Sequence, residues 1–520
     1  MAAASPPLLL LLLLLVLLLA TAATTQCHGP KRHRHHTGGG KTPKTAGATP
    51  TTIPATVHAI CHATPHPAPC LAAVAAHPDA TTAGATTKAV EASAVSVSLT
   101  LPPNILSVVL ASLRGALSAL SSASPAVAAL SGPPAASPWV ASLRRGAAQD
   151  CAELHEASLG SLTRSAALLA TPGGESLPAV RAHLAAALTN KATCLDGLAG
   201  ASGPQVGGLL ASLDDAYQHV SNSLALVARR GGGSVSSGFA AEIHSRRLLQ
   251  DDDDGDDNTG DSDNDNNGDD NGDGNEGSGN ADKPAATVIT VAKDGTGNFL
   301  TVGEAVAAAP NNSETRTVIR IKAGTYEENV EVPVYKTNIA IVGEGRDATV
   351  ITGSRSAADG WTTFRTATFG VSGEGFLARD VTFRNTAGAG KGQAVALRVN
   401  ADLAALYRCG VDGNQDALYA HSFRQFYREC AVSGTVDVVF GNAAAVLQGC
   451  ALLAKAPVPG QSVVLTAQGR GDPNEDTGIA VHNCTVSAAA AASGSRRRRF
   501  CPPARAPSLV GRGARTRGRW

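Results

Sequence analysis

Aromatic side chains are scarce in this chain of 520 residues, and its formal charges sum to zero. Only 4% of the residues are Phe, Trp or Tyr, so a large core has to be built from Ala, Val, Leu and Ile. The 43 basic and 43 acidic residues exclude a uniformly basic nucleic-acid-binding protein. The charges are segregated, however, with acid concentrated between residues 251 and 273 and base at 31–44 and 496–519. The zero therefore describes no single domain.

Long hydrophobic runs are also lacking. The longest apolar run, residues 8–19, is shorter than the ~20 residues that a membrane-spanning helix needs. The small residues Ala20, Ala22 and Ala23 follow it, as in the cleavage region of a secretory signal peptide, although no Lys or Arg precedes it. A membrane anchor is the alternative. We predict a signal peptide over 1–23, a secreted protein and no stable membrane span.

Secretion sets expectations for the residues that follow. The ten cysteines of a secreted chain should mostly form disulfides. Asn311 and Asn483 each begin an Asn-x-Ser/Thr tripeptide and are predicted glycosylation sites. Residues 24–55 are rich in Thr, Gly, Pro, His and Lys without any period, which predicts a low-complexity spacer.

Residues 56–228 have a helical period. Apolar side chains recur at steps of three and four over 106–120 and 209–227, and more briefly over 159–169 and 180–188. Four amphipathic helices joined by Pro, Gly and Ser predict an all-α four-helix bundle. Cys61 and Cys70 are close enough in sequence to close a short hairpin between helices.

The placement of the cysteines makes this bundle more specific. Cys151 lies at the start of the third helix, and Cys194 lies within the segment 188–197. With these residues the region 56–228 resembles the plant pectin methylesterase inhibitor domain. The resemblance implies two disulfides, Cys61–Cys70 and Cys151–Cys194.

Residues 229–286 cannot bury a core. The motif Arg246-Arg247-Leu248-Leu249 precedes a run of Asp, Asn and Gly with almost no apolar side chain. A basic pair in a disordered, secreted linker is accessible to a subtilisin-like processing protease, so we predict a processing site here. A merely charged linker is the alternative.

After residue 287 the period changes to short β-rich runs. Four Cys-x-apolar segments follow one another at spacings of 21, 20 and 34, beginning at Cys409, Cys430, Cys450 and Cys484. A period near 20 predicts a parallel β-solenoid whose last interval carries an insertion. Equivalent positions on adjacent coils lie ~4.8 Å apart, within the reach of a disulfide. We therefore predict the bonds Cys409–Cys430 and Cys450–Cys484.

The same arithmetic brings two carboxylates together. Asp416 and Asp437 are 21 residues apart and should stack on neighbouring coils. Two carboxylates so close resist joint ionisation, so one keeps its proton and serves as an acid while the other is a nucleophile. Gln393 lies 22 residues before Gln415, so two amides could donate to an oxyanion beside the pair. A buried polar ladder without catalysis is the alternative.

The region 287–486 resembles the plant pectin methylesterases (pectinesterases). The residues that carry the resemblance are 291–299, 324–328, 392–398, 415–419 and 434–442. The resemblance implies a right-handed parallel β-helix that acts as a carboxylic ester hydrolase on methyl-esterified homogalacturonan (pectin) in the plant cell wall. It implies neither a metal nor an organic cofactor.

The resemblance also implies a role for each site residue. Asp437 attacks the ester carbonyl to form an acyl-enzyme, and Asp416 protonates the leaving methanol and then activates water. Gln393 and Gln415 stabilise the oxyanion. Substrate-binding positions are Thr363, Gln393, Tyr419 and Phe440.

The family pattern is lost after residue 486. The Leu-Gly-Arg-Pro-Trp motif of the family, whose Arg orients the nucleophile, is replaced by a basic tail over 487–520. We expect a C-terminally incomplete β-helix from a frameshifted or mis-spliced gene, with a genuine tail as the alternative.

Three functions follow from these patterns. The first is a pectinesterase made as a pro-protein, in which the bundle can contact its own catalytic domain. The second is an inactive protein whose bundle serves as an inhibitor or interaction module. A polysaccharide lyase or glycosidase is disfavoured because the ester-hydrolase segments match in sequence and order.

Overall fold

Helices form the first part of the described chain and parallel strands the second. The structure, a computed structural model, describes residues 53–77, 101–130, 145–171, 177–199, 204–228 and 287–489. These residues belong to one compact unit, residues 51–520. The predicted signal peptide, most of the spacer, the processing motif, the acidic linker and nearly all of the basic tail lie outside the described residues.

The helical region contains six described helices. They are α1 (Ala55–His62), α2 (Pro67–Ala76), α3 (Pro103–Ala129), α4 (Ala147–Ala170), α5 (Leu177–Gly197) and α6 (Pro204–Ala228). The four longest, α3–α6, lie where the apolar stripes predict helices, and their buried side chains form one core. The disulfide Cys61–Cys70 closes the α1–α2 hairpin, and Cys151–Cys194 joins α4 to α5.

The longest helix, α3, is also the most apolar. Among the described helices it has the length and composition to cross a membrane. Val108, Leu113 and Leu120 of α3 are nevertheless fully buried against neighbouring helices.

The β region consists of three parallel sheets. The eight-stranded sheet contains, in order, β1 (Thr287–Val291), β2 (Thr317–Ile321), β5 (Ile339–Gly343), β8 (Leu377–Arg379), β11 (Ala404–Tyr407), β14 (Arg424–Arg428), β17 (Ala444–Gln448) and β20 (Gly478–His482). The seven-stranded sheet contains β3 (Gly324–Glu327), β6 (Thr349–Gly353), β9 (Thr382–Asn385), β12 (Gly410–Asp412), β15 (Ala431–Gly434), β18 (Ala451–Ala454) and β21 (Thr485–Ala488). The six-stranded sheet contains β4 (Val330–Val332), β7 (Phe369–Val371), β10 (Leu397–Val399), β13 (Leu418–Ala420), β16 (Val439–Gly441) and β19 (Thr466–Gln468).

The chain visits the three sheets in turn, so each coil adds one strand to each sheet. Val411 pairs with Val432, Val432 with Leu452, and Leu452 with Val486. These registers have the intervals of 21, 20 and 34 residues that the cysteines predict, and β19 lies within the longest interval. The predicted parallel β architecture is confirmed.

A short helix, α7 (Val302–Ala308), covers the first coil. Thr301 and Glu304 begin it with a reciprocal capping box, which satisfies backbone N–H groups that the first turn leaves free. Val302, Ala305 and Val306 are buried in the same core as the strands. That core is made mostly of Val, Ile, Leu and Ala, as the composition predicts.

The predicted bonds Cys409–Cys430 and Cys450–Cys484 are wrong, because all four cysteines are free thiols in the structure. Each cysteine directly precedes a strand of the seven-stranded sheet, so the predicted stacking is present. The thiol of Cys430, however, hydrogen-bonds on both sides, to Cys409 and to Cys450. The cysteines therefore form a continuous row and not two separate pairs. The hydrogen bond to Cys409, together with burial, raises the pKa of the Cys430 thiol.

Asn311 and Asn483, the predicted glycosylation sites, are both exposed. Asn483 adopts a left-handed conformation with a φ of 51°. Their glycosylation stays a prediction.

Candidate active site

One turn recurs on successive coils and carries the predicted reactive residues. It connects the seven-stranded sheet to the six-stranded sheet, over residues 386–396, 413–417 and 435–438. Gln393 lies in the first of these turns, Gln415 and Asp416 in the second, and Asp437 in the third.

Backbone hydrogen bonds align these turns. Gln393 and Gln415 pair as an isolated parallel bridge, and the N–H of Asp416 donates to the carbonyl of Val436 at 3.0 Å. Beyond the turns, the register pairs Leu418 with Val439. Asp416 and Asp437 therefore occupy equivalent positions on adjacent coils.

The turns bend sharply at the two aspartates. Asp416 has a φ of 65° and Asp437 a φ of 50°, in the left-handed region that Asp tolerates better than most side chains. Gly434 is required nearby, because a Cβ there would lie 2.6 Å from the carbonyl oxygen of Asn414 on the preceding coil. The close stacking of the turns thus sets both aspartate positions.

The two carboxyl groups differ in their surroundings. Asp416 is only 6% exposed, whereas Asp437 is half-buried. Burial and the neighbouring charge of Asp437 raise the pKa of Asp416 well above its usual value. Asp416 therefore keeps a proton at a pH where an exposed aspartate has lost it, and it can act as an acid.

A cleft of about 560 Å³ opens above this pair. Thr363, Asp416, Tyr419 and Phe440, four of the predicted site residues, line it. The rings of Tyr419 and Phe440 stack with centroids 4.1 Å apart and planes 16° apart, which gives the cleft a flat aromatic wall. Gln393, Gln415 and Asp437 lie in the turns beside it and are not part of its lining.

Helix α5 forms the opposite wall of the cleft. A hydrogen bond of 2.9 Å joins Thr193 Oγ1 to His421 Nε2, and the Asn442 side chain donates to Thr189 Oγ1 at 2.9 Å. Burial, together with the positive charge of Arg398, lowers the pKa of His421 to about 3, so its ring is neutral. Helix α5 thus lies directly over the aromatic wall.

Helix α6 closes a second side of the cleft. The hydroxyl of Ser221 donates to Asp472 Oδ2 at 2.5 Å, in the loop that follows β19. In the same loop Glu475 accepts hydrogen bonds from the N–H groups of Gly471 and Asp472, at 3.1 and 3.2 Å. Burial raises the pKa of Glu475, which also lines the cleft, to about 7.

One row of residues crosses the six-stranded sheet beneath the cleft. The register aligns Glu331, Gly370, Arg398, Tyr419 and Phe440 on successive strands. Arg398 is fully buried and forms an ion pair of 2.7 Å with Glu331 across Gly370. A Cβ at position 370 would lie 2.3 Å from the Glu331 carboxylate and 2.6 Å from the Arg398 guanidinium, so glycine is needed there.

Sequence reasoning missed the helical wall of the cleft and the loop of Glu475. Asn442 belongs to the segment 434–442 that carries the family resemblance, and this was the one signal within reach. Thr189 and Thr193 contact residues more than 200 positions away, and no local pattern indicates such a contact. Within the described ranges, no three His, Cys, Asp or Glu side chains are grouped as a metal site requires.

Two family models match the chain. Residues 288–501 match the Pectinesterase family, and residues 55–226 match the plant invertase/pectin methylesterase inhibitor family. Together they cover both the β region and the helical region, in the order that the sequence predicts.

Individual proteins show the same similarity. "Probable pectinesterase/pectinesterase inhibitor 12" of Arabidopsis thaliana is 46% identical over 410 residues, which cover 76% of this chain and 70% of the relative. "Probable pectinesterase/pectinesterase inhibitor 61" of the same plant is 43% identical over 349 residues, 66% of this chain and 57% of the relative. Among solved structures, "Pectin methylesterase from Carrot" has 55% identity and a TM-score of 0.39, and the match covers 40% of this chain and 65% of that one.

Proposed function

Because this chain belongs to the pectinesterase family, we propose that it hydrolyses the methyl esters of homogalacturonan to carboxylates and methanol. The observation that carries this proposal is the stacked pair Asp416 and Asp437, in which Asp416 is buried and its pKa is raised. An ester hydrolase that works through a carboxylate nucleophile needs such a pair, with one group protonated and the other ionised.

The reaction has two steps. A carboxylate oxygen of Asp437 attacks the ester carbonyl carbon, and Asp416 gives its proton to the leaving methoxide, so methanol departs and an acyl-enzyme remains. Asp416, now ionised, takes a proton from water, and the hydroxide attacks the acyl carbonyl. The product carboxylate leaves, and Asp437 is restored. The side-chain amides of Gln393 and Gln415 donate to the oxyanion in both steps.

The sugar chain lies in the cleft along the aromatic wall. Tyr419 and Phe440 offer a flat apolar surface, and Thr363 offers a hydroxyl at the opposite side. The substrate-binding roles of these three residues are supported by their position in the same cleft as Asp416.

We further propose that the helical region is a four-helix inhibitor-like domain that acts on its own β region, a right-handed β-helix. Support comes from α5, since Thr189 and Thr193 bond to Asn442 and His421 above the aromatic wall. A polysaccharide chain cannot enter while α5 is in place. Cleavage by a subtilisin-like protease at Arg246-Arg247-Leu248-Leu249 would separate the two regions in the secretory route, before the enzyme acts in the cell wall.

Methanol release tests this proposal. The full chain and the chain cut within residues 229–286 are each incubated with methyl-esterified homogalacturonan, and methanol and new reducing ends are measured. We expect methanol from the cut chain, at least tenfold less from the uncut chain, and no new reducing ends. Reducing ends without methanol would indicate a lyase or glycosidase. No methanol from either form would favour a protein whose helical region is the working part.

A further inference from the structure

Arg365 is nearly completely buried where the helical region meets the β region. Its side chain is 5% exposed. The Nε atom lies 2.6 Å from Asp150 Oδ1, and Nη2 is hydrogen-bonded to the Glu153 carboxylate. Both acidic residues belong to α4, whereas the one β-region carboxylate in contact, Glu331, is 3.4 Å away. Arg365 therefore makes its shortest ion pairs with the helical region.

Two hydroxyl groups of the β region complete these contacts. Thr362 Oγ1 donates to Asp150 Oδ2 at 2.5 Å, and Ser372 Oγ donates to Glu153 Oε1 at 3.3 Å. Each carboxylate of α4 thus meets one guanidinium edge and one hydroxyl. This arrangement of donors is complementary to a carboxylate group whatever molecule carries it.

The backbone of the helical region also approaches Arg365 closely. Gly146, just before α4, has a φ of 86°, and a Cβ there would lie 2.6 Å from Arg365 Cγ. The N–H of Arg145 donates to the carbonyl of Gly360 at 2.8 Å, and the N–H of Thr362 donates to the carbonyl of Arg145 at 3.2 Å. The amides of Arg145 and Thr362 therefore report whether this contact is closed.

The charges of the cluster balance only while α4 is present. The β region supplies Arg365, Arg398 and Glu331, and α4 supplies Asp150 and Glu153. Without α4 the β region has two guanidinium groups against one carboxylate, a net charge of +1. Buried cations of this kind need an anionic partner.

The cluster lies beside the proposed sugar-binding cleft. Thr363, which lines the cleft, is adjacent in sequence to Thr362 and Phe364. The Phe364 ring contacts Arg365 on one side and Arg398 on the other, at 5.5 and 3.5 Å from its centroid. Arg398 is in register with Tyr419 on the neighbouring strand, about 4.8 Å away. A sugar chain along the aromatic wall would reach the cluster within a few strand spacings.

We propose that Arg365, Thr362 and Ser372 form a binding site for a carboxylate of de-esterified homogalacturonan, and that Asp150 and Glu153 occupy this site in the uncut chain. Polygalacturonate and helix α4 then compete for the same donors. This inference rests on the proposed function, because it takes the polymer in the cleft to be homogalacturonan. It adds that the free acid form of the polymer displaces the helical region, whereas the methyl ester does not.

Hydrogen exchange tests the competition in the chain cut within 229–286, in which all residues are still present. The amides of Arg145 and Thr362 are followed with added hexagalacturonate, with its methyl ester, and with NaCl at matched ionic strength. We expect hexagalacturonate to speed exchange at both amides at least fivefold and the two controls to leave it unchanged. In the Asp150→Asn, Glu153→Gln double variant, about tenfold less hexagalacturonate should give the same effect.

Two results would overturn the proposal. One is that hexagalacturonate changes exchange in neither the wild type nor the double variant. The other is that the methyl ester acts as strongly as the free acid. Methanol release, measured separately on the same preparations, distinguishes the two proposals. Exchange that responds to hexagalacturonate without methanol release contradicts the hydrolase alone, and methanol release without this response contradicts the carboxylate site alone.

Discussion

Asp416 and Asp437 occupy equivalent positions on adjacent coils of the β region, and both have left-handed backbone conformations. The coil register brings their carboxyl groups together, while burial separates their behaviour. Asp416 is 6% exposed and has a raised pKa. The pair consequently joins a protonated carboxyl to an ionised one, which is the division of labour that ester hydrolysis requires.

The raised pKa of Asp416 has a consequence for stability. A carboxyl group whose pKa is higher in the folded state favours folding at low pH, and this contribution is lost as the pH rises from the unfolded value of 3.8 through the folded one. Asp416→Asn removes the titration. The free energy of unfolding of the variant, relative to the wild type, should therefore increase between pH 4 and pH 8, as measured in urea. A difference that is constant with pH would contradict the raised pKa.

Gly370 permits the buried ion pair between Arg398 and Glu331, because a Cβ there would lie within 2.6 Å of both charged groups. Gly370→Ala should separate the pair and lower the free energy of unfolding by about 3 kcal/mol, the usual cost of leaving a buried charge without its partner. Gly390→Ala is the matched control, since no atom lies within 4 Å of a Cβ at that exposed position. Equal stability of the two variants would show that Arg398 does not need Glu331.

The contact between Asp150 and Arg365 should weaken as the pH rises. Burial raises the pKa of Asp150 to about 6, despite the attraction of Arg365. The contribution of Asp150 is thus fully present below pH 3.8 and is lost as the pH rises through about 6. A shift of this size corresponds to about 3 kcal/mol.

Asp150→Asn isolates this effect. Burial lowers the pKa of His183 to about 4 and that of His421 to about 3, which favours the contact at higher pH, but both histidines are present in the variant as well. Between pH 4 and pH 7, the wild type should lose about 3 kcal/mol of unfolding free energy relative to the variant. If the wild type gained stability relative to the variant over this range, the assigned direction would be wrong.

The two disulfides of the helical region should differ in their contribution. Cys151–Cys194 spans 43 residues and Cys61–Cys70 spans 9. Because a longer loop restricts the unfolded chain more, replacing Cys151 and Cys194 by Ala should cost about 4 kcal/mol, and replacing Cys61 and Cys70 about 2.5 kcal/mol. Urea unfolding followed by the helical circular dichroism signal measures both. A larger loss for the shorter loop would indicate that native packing outweighs loop entropy.

Local periodicity allowed much of the fold to be predicted. The apolar steps of three and four mark α3–α6, and the cysteine intervals of 21, 20 and 34 match the coil register. The same interval aligned Asp416 with Asp437 before any coordinates. These features are repeated along the chain, so a single sequence contains the signal several times.

Contacts that occur once left no such signal. Asp150 and Arg365 are 215 residues apart, and their contact depends on how the helical and β regions pack. The cysteine bonds failed for a related reason. The sequence indicates which cysteines stack, but Cys430 has a neighbour on each side, and spacing alone does not select between them.

The most direct test of the account is methanol release by the Asp437→Asn variant of the chain cut within 229–286. Asp347→Asn, an exposed aspartate remote from the turns that carry the pair, is the control. With methyl-esterified homogalacturonan we expect the control to match the wild type and Asp437→Asn to lose at least a thousandfold in rate, because the nucleophilic oxygen is gone. Methanol release by Asp437→Asn at the wild-type rate would contradict the assignment of Asp437 as the nucleophile.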